Sequence, residues 1–134
     1  MTMVVSGTPI LIVKSVEPTM KFFMDALGFE VLAKAEEGAG LGFVWLQHGI
    51  VDVMIQTEES LKGDMPTVSG QTGNALMYLR VDNLDALAPK LEGLEQVVAR
   101  RTTAYGMHEV VIREPGGHLV ALAQPKDEPA PAAE

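Results

Sequence analysis

The chain has 134 residues, 47% apolar and 21% charged, which is enough for a buried core and too apolar for a disordered chain. Its formal net charge of −8 argues against a nucleic-acid backbone as partner, because phosphate binding needs clustered Lys and Arg. Cysteine is absent, which removes disulfides, thiolate nucleophiles and cysteine-ligated zinc or iron–sulfur centres. The first residues lack a basic start followed by an apolar run, so no signal peptide is expected. No apolar run is long enough to span a bilayer, and a cytoplasmic location is the expectation.

Residues 8–14 read as a strand, with Pro9 suited to an edge or first strand position. Ser15 or Glu17 then opens a helix with Pro18 in its first turn. Met20, Phe23, Met24 and Leu27 repeat at helical spacing, and Gly28 is placed to stop the helix. Strands follow at 29–35, 41–47 and 50–57, separated by a turn at 36–40 and a tight turn at His48-Gly49. Residues 58–73 are polar and rich in Gly, Ser and Thr, and are expected to be a connecting loop.

The second half repeats the order. A strand at 75–81 leads to Asp82 or Asn83 as a cap, and Leu84, Leu87, Ala88 and Leu91 form the apolar stripe of a helix closed by Gly93. A strand at 95–103 precedes a hairpin at 105–122, where Val110, Val111, Ile112 and Val120 flank a Pro115-Gly116-Gly117 turn. The tail at 126–134, rich in Pro, Ala and Glu, is expected to be disordered.

Shifting the first half by 68 positions lays Val13 on Val81, Gly49 on Gly117, and residues 41–46 on 109–114. Two βαβββ modules, 8–57 and 75–125, are therefore expected within one domain spanning 1–125. The fold class is α+β. A helix on one face of each sheet leaves the other face free, and two such sheets facing each other would enclose a cavity.

The residues that carry a family likeness are Pro9 through Val13, Phe22-Phe23, Ala26-Leu27-Gly28-Phe29, and, in the second half, Tyr78 through Asp82, Tyr105-Gly106 and Glu114-Pro115-Gly116-Gly117-His118. Together they resemble the opening and closing motifs of the vicinal oxygen chelate superfamily, the glyoxalase, bleomycin-resistance and dioxygenase group. The chain departs from the family pattern at Ser15, Glu114 and Gly116, where the family commonly has an aspartate helix cap, Asp before the closing proline and a polar residue after it. The resemblance implies a glyoxalase/bleomycin-resistance-type fold with curved mixed sheets around a cavity, and a homodimer.

Metal-dependent members take one His, Glu or Gln ligand from each of four strands. Carried over by motif, those positions fall near Thr8, Val53, Leu76 and Ala121, and a slip of one residue adds only the carboxylate of Asp52. Neither a metal nor another cofactor is therefore expected. His48 and His118, next to glycines in turns, are expected to be solvated. No phosphate-cradling glycine loop or nucleophile elbow occurs.

Strand alternation places Thr8, Ile10 and Ile12 toward the cavity, with Leu76, Tyr78 and Arg80 from the second module. Phe43, Trp45 and Gln47 share one face, as do Val51, Val53 and Ile55. Candidate ligand-binding residues are Phe43, Trp45 and Met54 in the first module. In the second they are Tyr78, Arg80, Tyr105, Met107 and His108. No catalytic residue is assigned. Glu109 is a weak candidate for a general base, on the condition that burial raises its pKa, and otherwise a rim residue. The expected function is metal-free binding that sequesters a small apolar or cationic aromatic molecule such as an antibiotic. The alternative is a lyase, isomerase or dioxygenase using a divalent metal or a lone carboxylate.

Overall fold

Apolar residues at alternate positions set the architecture. The computed structural model describes residues 4–67 and 74–127, and the chain divides into two compact units, Met1–Gly73 and Asn74–Glu134.

In the first unit the elements are β1 (Ile10–Val13), α1 (Val16–Lys21), β2 (Glu30–Glu37), β3 (Gly40–His48), β4 (Val51–Thr57) and α2 (Glu58–Asp64). They form a mixed sheet in the order β1-β4-β3-β2, with β1 and β4 parallel and the other pairs antiparallel. Leu11, Val13, Val44, Leu46, Val53 and Ile55 are buried on one face, as are Val16 and Phe23 of the helix. Each such side chain contributes about 1.5–3 kcal/mol on leaving water.

The helix continues past Lys21 as a π-helical stretch, Phe22–Ala26. Its wider hydrogen-bonding pattern rotates the stripe expected from the sequence. Val16, Thr19, Phe22, Phe23 and Ala26 are buried, whereas Met20, Met24 and Leu27 are only partly covered. Gly28 ends the run as expected, at φ +77°, with its N–H donating to Met24 O at 3.1 Å.

The second unit runs β5 (Leu76–Arg80), α3 (Leu84–Leu87), β6 (Glu95–Thr102), β7 (Met107–Arg113) and β8 (Leu119–Pro125), in the sheet order β5-β8-β7-β6. Asn83 caps α3, its side chain accepting from Ala86 N at 3.1 Å. After one turn the helix tightens to a 3-10 stretch, Ala88–Leu91, because Pro89 has no N–H to donate. Val120, Leu122 and Ile112 are fully buried on this sheet, with Leu84 and Leu91 buried on the helix. Each unit thus has the strand–helix–three-strand order expected of it.

Two expectations are corrected. The connector is not all loop: residues 58–64 form α2, started by Thr57 Oγ1, which accepts from Ser60 N at 3.0 Å. Residues 68–73, and the tail from 128 onward, lie outside the described residues.

The second correction concerns the constant 68-residue offset. Aligning Ile12 with Arg80, the pairing registers make Phe43 the counterpart of Glu109 and Gln56 the counterpart of Ala123. The offset is therefore 68 on the first strand, 66 on the third and 67 on the fourth. The β7–β8 turn is one residue longer than its counterpart between Gln47 and Asp52, which accounts for the last change. An odd error moves a strand to its other face. Val53 accordingly lies buried on the helix side, and the residue matching Ala121 is Met54.

Candidate functional site

The face of the second sheet opposite α3 carries a polar cluster built from three strands and a loop. Tyr78 and Arg80 stand on β5, Ala121 and Ala123 on β8, Glu109 and Val111 on β7, and Arg101 on β6, in lateral register. Glu109 is 2% exposed. Its Oε2 accepts from the Tyr78 hydroxyl at 2.7 Å and lies 3.3 Å from the Tyr105 hydroxyl. Its Oε1 accepts from Arg101 Nε and Nη2 at 3.2 and 2.9 Å. Tyr78 is half-exposed and Tyr105 69% exposed. A carboxylate under two phenols and a guanidinium is thus the polar centre of an otherwise aromatic and apolar patch.

This arrangement changes the electrostatic expectation for Glu109. Burial does push its carboxyl upward, but the Tyr78 hydrogen bond, followed by the Arg101 fork and the Tyr105 hydroxyl, outweighs that push and holds it below the usual carboxylate range. The same bond, with burial and the negative charge of Glu109, holds the Tyr78 phenol well above the ordinary range. Glu109 is therefore a fixed anion and hydrogen-bond acceptor at neutral pH. A poised general base needs the opposite shift.

Of the other expected site residues in this unit, Arg80 and Met107 lie on the Glu109 face. His108 is adjacent in sequence to Glu109 and so faces the other way, with its Nδ1 2.8 Å from Thr102 Oγ1. Arg101 was not singled out in the sequence. Register shifts along β6 between Gln96 and Val98, and between Val98 and Arg101, break the alternation that would have placed it.

In the first unit, the face opposite the helix carries Ile10 and Ile12, Met54 and Gln56, and Phe43, Trp45 and Gln47. Phe43, Trp45 and Met54 are all partly exposed, with Met54 directly between Ile10 and Trp45 in register. Asp52 holds this row: its Oδ2 accepts from the Trp45 indole N–H at 3.2 Å and its Oδ1 from Gln47 Nε2 at 3.0 Å. The indole plane is thereby fixed at its polar edge while its apolar body stays available.

The turn histidines differ from each other. His48 is exposed and packs its ring against Phe29, centroids 5.6 Å apart. His118, expected to be solvated, is only 2% exposed. Its Nδ1 accepts from Ala75 N at 3.0 Å, and its own N–H donates to Glu114 Oε1 at 2.9 Å. Glu114 is also buried and accepts from Gly116 N through Oε2 at 2.9 Å. The pair ties the β7–β8 turn to the start of β5, so buried backbone donors rather than solvent surround it.

The strand positions that bear metal ligands in metal-dependent relatives do not fit a cation here. Of the four expected positions, Thr8, Leu76 and Ala121 are unchanged by the register and Val53 gives way to Met54, so none of the four is a His, Glu or Gln, and Gln56 donates its amide to Ser60 Oγ at 3.1 Å. Among the described residues, no group of three or more His, Asp or Glu is placed to hold an ion.

Comparisons with known proteins agree with the fold. A protein of unknown function from Agrobacterium tumefaciens str. C58 matches with a TM-score of 0.72 and 22% identity, covering 92% of this chain and 96% of that one. A glyoxalase/bleomycin resistance protein/dioxygenase from Nocardioides matches with a TM-score of 0.68 and 11% identity, covering 100% and 92%. TnmS3, described as an antibiotic binding protein from Streptomyces sp. CB03234, matches with a TM-score of 0.63 and 22% identity, covering 92% and 99%. No curated protein matches the chain. The family model for the Glyoxalase/Bleomycin resistance protein/Dioxygenase superfamily matches residues 4–122, and with two βαβββ modules in place the chain belongs to that superfamily.

Proposed function

We propose that this protein binds and sequesters a small planar aromatic compound, an antibiotic being the leading class, without a metal ion and without chemical conversion. The observation that carries this reading is the set of aromatic side chains, partly exposed and fixed by hydrogen bonds, on the sheet faces opposite the helices. Trp45 is held by Asp52, and Tyr78 by Glu109. Rings locked at one polar edge and open along the rest are suited to stacking, because little side-chain freedom is lost on binding. The antibiotic-binding likeness of TnmS3 supports the same class of ligand. Glu109, saturated and held ionised, gives no support to a lone-carboxylate reaction. The protein acts as a homodimer in this reading, which sedimentation at micromolar concentration tests directly: a mass of one chain refutes the dimer.

Trp45 is the only tryptophan, so its fluorescence reports on one place. Titration with a panel of aromatic antibiotics should quench or shift its emission saturably and raise the melting temperature. A flat response of both signals up to high micromolar concentrations across the panel refutes the reading.

A further inference from the structure

Three properties of the Glu109 cluster together specify what can dock on it. The first is saturation. Both carboxylate oxygens are occupied, Oε1 by two N–H groups of Arg101 and Oε2 by the phenols, and the side chain is buried. A cationic ligand finds no exposed carboxylate there.

The second is the guanidinium. Arg101 spends Nε and Nη2 on Glu109, while its side chain remains 55% exposed. Among the described residues its Nη1 has no hydrogen-bond partner. Because Glu109 grips the fork from one side, the planar guanidinium presents its remaining N–H groups outward in a fixed plane.

The third is the local charge. Arg80, Glu109 and Arg101 lie in one lateral row across the sheet, and the one carboxylate among them is already held by Arg101.

We infer that the aromatic ligand bears an anionic oxygen, as an aryl carboxylate or phenolate, and that this oxygen docks on Arg101 beside the Tyr78 and Tyr105 rings. The inference rests on the binding reading above and narrows the ligand's chemistry. An oxygen anion pairs with a guanidinium through short, charge-assisted hydrogen bonds, while the attached ring lies against the phenol rings. An ammonium group at the same place meets the Arg101 guanidinium and no available acceptor carboxylate. Glu109 is a positioning residue, acting only through Arg101 and Tyr78.

The test uses three probes with one ring: 2-naphthoate, 2-naphthamide and 2-naphthylmethylammonium, titrated into the full chain by calorimetry. The carboxylate should bind about tenfold or more tightly than the ammonium, the ratio that one charge-assisted hydrogen bond gives. Arg101→Gln should reduce that ratio to near unity, and Arg101→Lys, which keeps the charge and loses the fork, should leave an intermediate ratio. A preference for the ammonium, or equal binding of all three probes to the unaltered protein, overturns the inference. Absence of binding by every probe also overturns it. The broader binding reading is decided separately by the Trp45 titration. The positioning part has its own readout. With only two tyrosines in the chain, ultraviolet titration resolves the Tyr78 phenol, and Glu109→Gln should bring its ionisation back toward the ordinary range. An unchanged phenol titration in the folded variant removes Glu109 from the proposal.

Discussion

The same row of the same sheet carries opposite chemistry in the two units. In the first unit it reads Ile12, Gln56, Phe43, Ala35 across the strands. In the second it reads Arg80, Ala123, Glu109, Arg101. The neighbouring row differs in bulk: Ile10, Met54 and Trp45 in the first unit stand where Tyr78, Ala121 and Val111 stand in the second. The first unit puts its large side chains in the middle strands. The second puts small residues there and its tyrosine on the edge strand. Helix-side positions, by contrast, are alike in kind: Val44, Leu46, Val53 and Ile55 in one unit, Val110, Ile112, Val120 and Leu122 in the other, all buried. Backbone architecture is thus duplicated on the side that folds, and chemistry has diverged on the side that is free to bind.

The most severe way to break this comparison is to move the charge. Phe43→Glu places the carboxylate of the second unit into the first, where no tyrosine or arginine awaits it. The loss should be roughly 2–4 kcal/mol in urea unfolding, from lost apolar burial and a half-covered carboxylate without partners. Ala35 is the lateral partner of Phe43 as Arg101 is of Glu109. Adding Ala35→Arg should therefore recover up to about 1 kcal/mol in a double-mutant cycle. If the double variant is no more stable than Phe43→Glu alone, the equivalence of the two rows is one of register only.

Removing the charge where it belongs should cost somewhat less. Glu109→Ala deprives Tyr78, Tyr105 and Arg101 of their shared acceptor, but all three are exposed enough to turn to water. A loss of about 1–3 kcal/mol is expected, measured by chemical denaturation. The acid dependence carries the same information without mutation. The folded-state pKa of Glu109 is depressed, so its contribution is present above the ordinary carboxylate value of 4.5 and lost as pH falls through the lower folded value. The melting temperature should drop on acidification below that point, and the drop should be smaller in Glu109→Gln. Identical acid profiles for the two proteins contradict the assignment.

How far these features were legible in the sequence follows the same division. The two βαβββ modules could be read because strand and helix periodicity records what is buried. The stop at Gly28 and the turn at Gly117 could be read because those backbone conformations need glycine, at φ +77° and +99°. Strand alternation gives the right faces for β1 and β5 and the wrong one for β4, where a turn of different length shifts the repeat by one residue. Glu109 was visible as a residue but its environment was not. Its pKa is set by Tyr78, which is 31 positions away in sequence, and by an arginine on a bulged strand whose alternation is broken. The burial of His118 is illegible in the sequence for a related reason. Its partner is the N–H of Ala75, 43 positions away, and no local signal distinguishes a turn histidine in solvent from one that receives a distant backbone donor.

The smallest expected effect concerns an element that only the first unit has among the described residues. After β4 the chain enters α2, whereas after β8 the described residues end in a turn at Asp127. The helix is short, seven residues, and its composition includes Gly63, so intrinsic propensity alone would not hold it. Two features compensate. Thr57 Oγ1 accepts from Ser60 N, satisfying one of the orphan donors at the helix start, and Glu58 and Glu59 place negative charge near the positive end of the helix dipole. One side chain, Leu61, is buried and anchors the helix. Thr57→Ala removes the cap and should cost about 1 kcal/mol of stability, whereas Thr57→Ser and Thr57→Asp, which keep an acceptor, should cost at most a few tenths. Because Thr57 also ends β4, the three variants together separate capping from strand propensity. Loss of the β-branch is common to all three, and loss of the acceptor belongs to alanine alone. Equal destabilisation in all three would assign the effect to the strand and leave α2 held by Leu61.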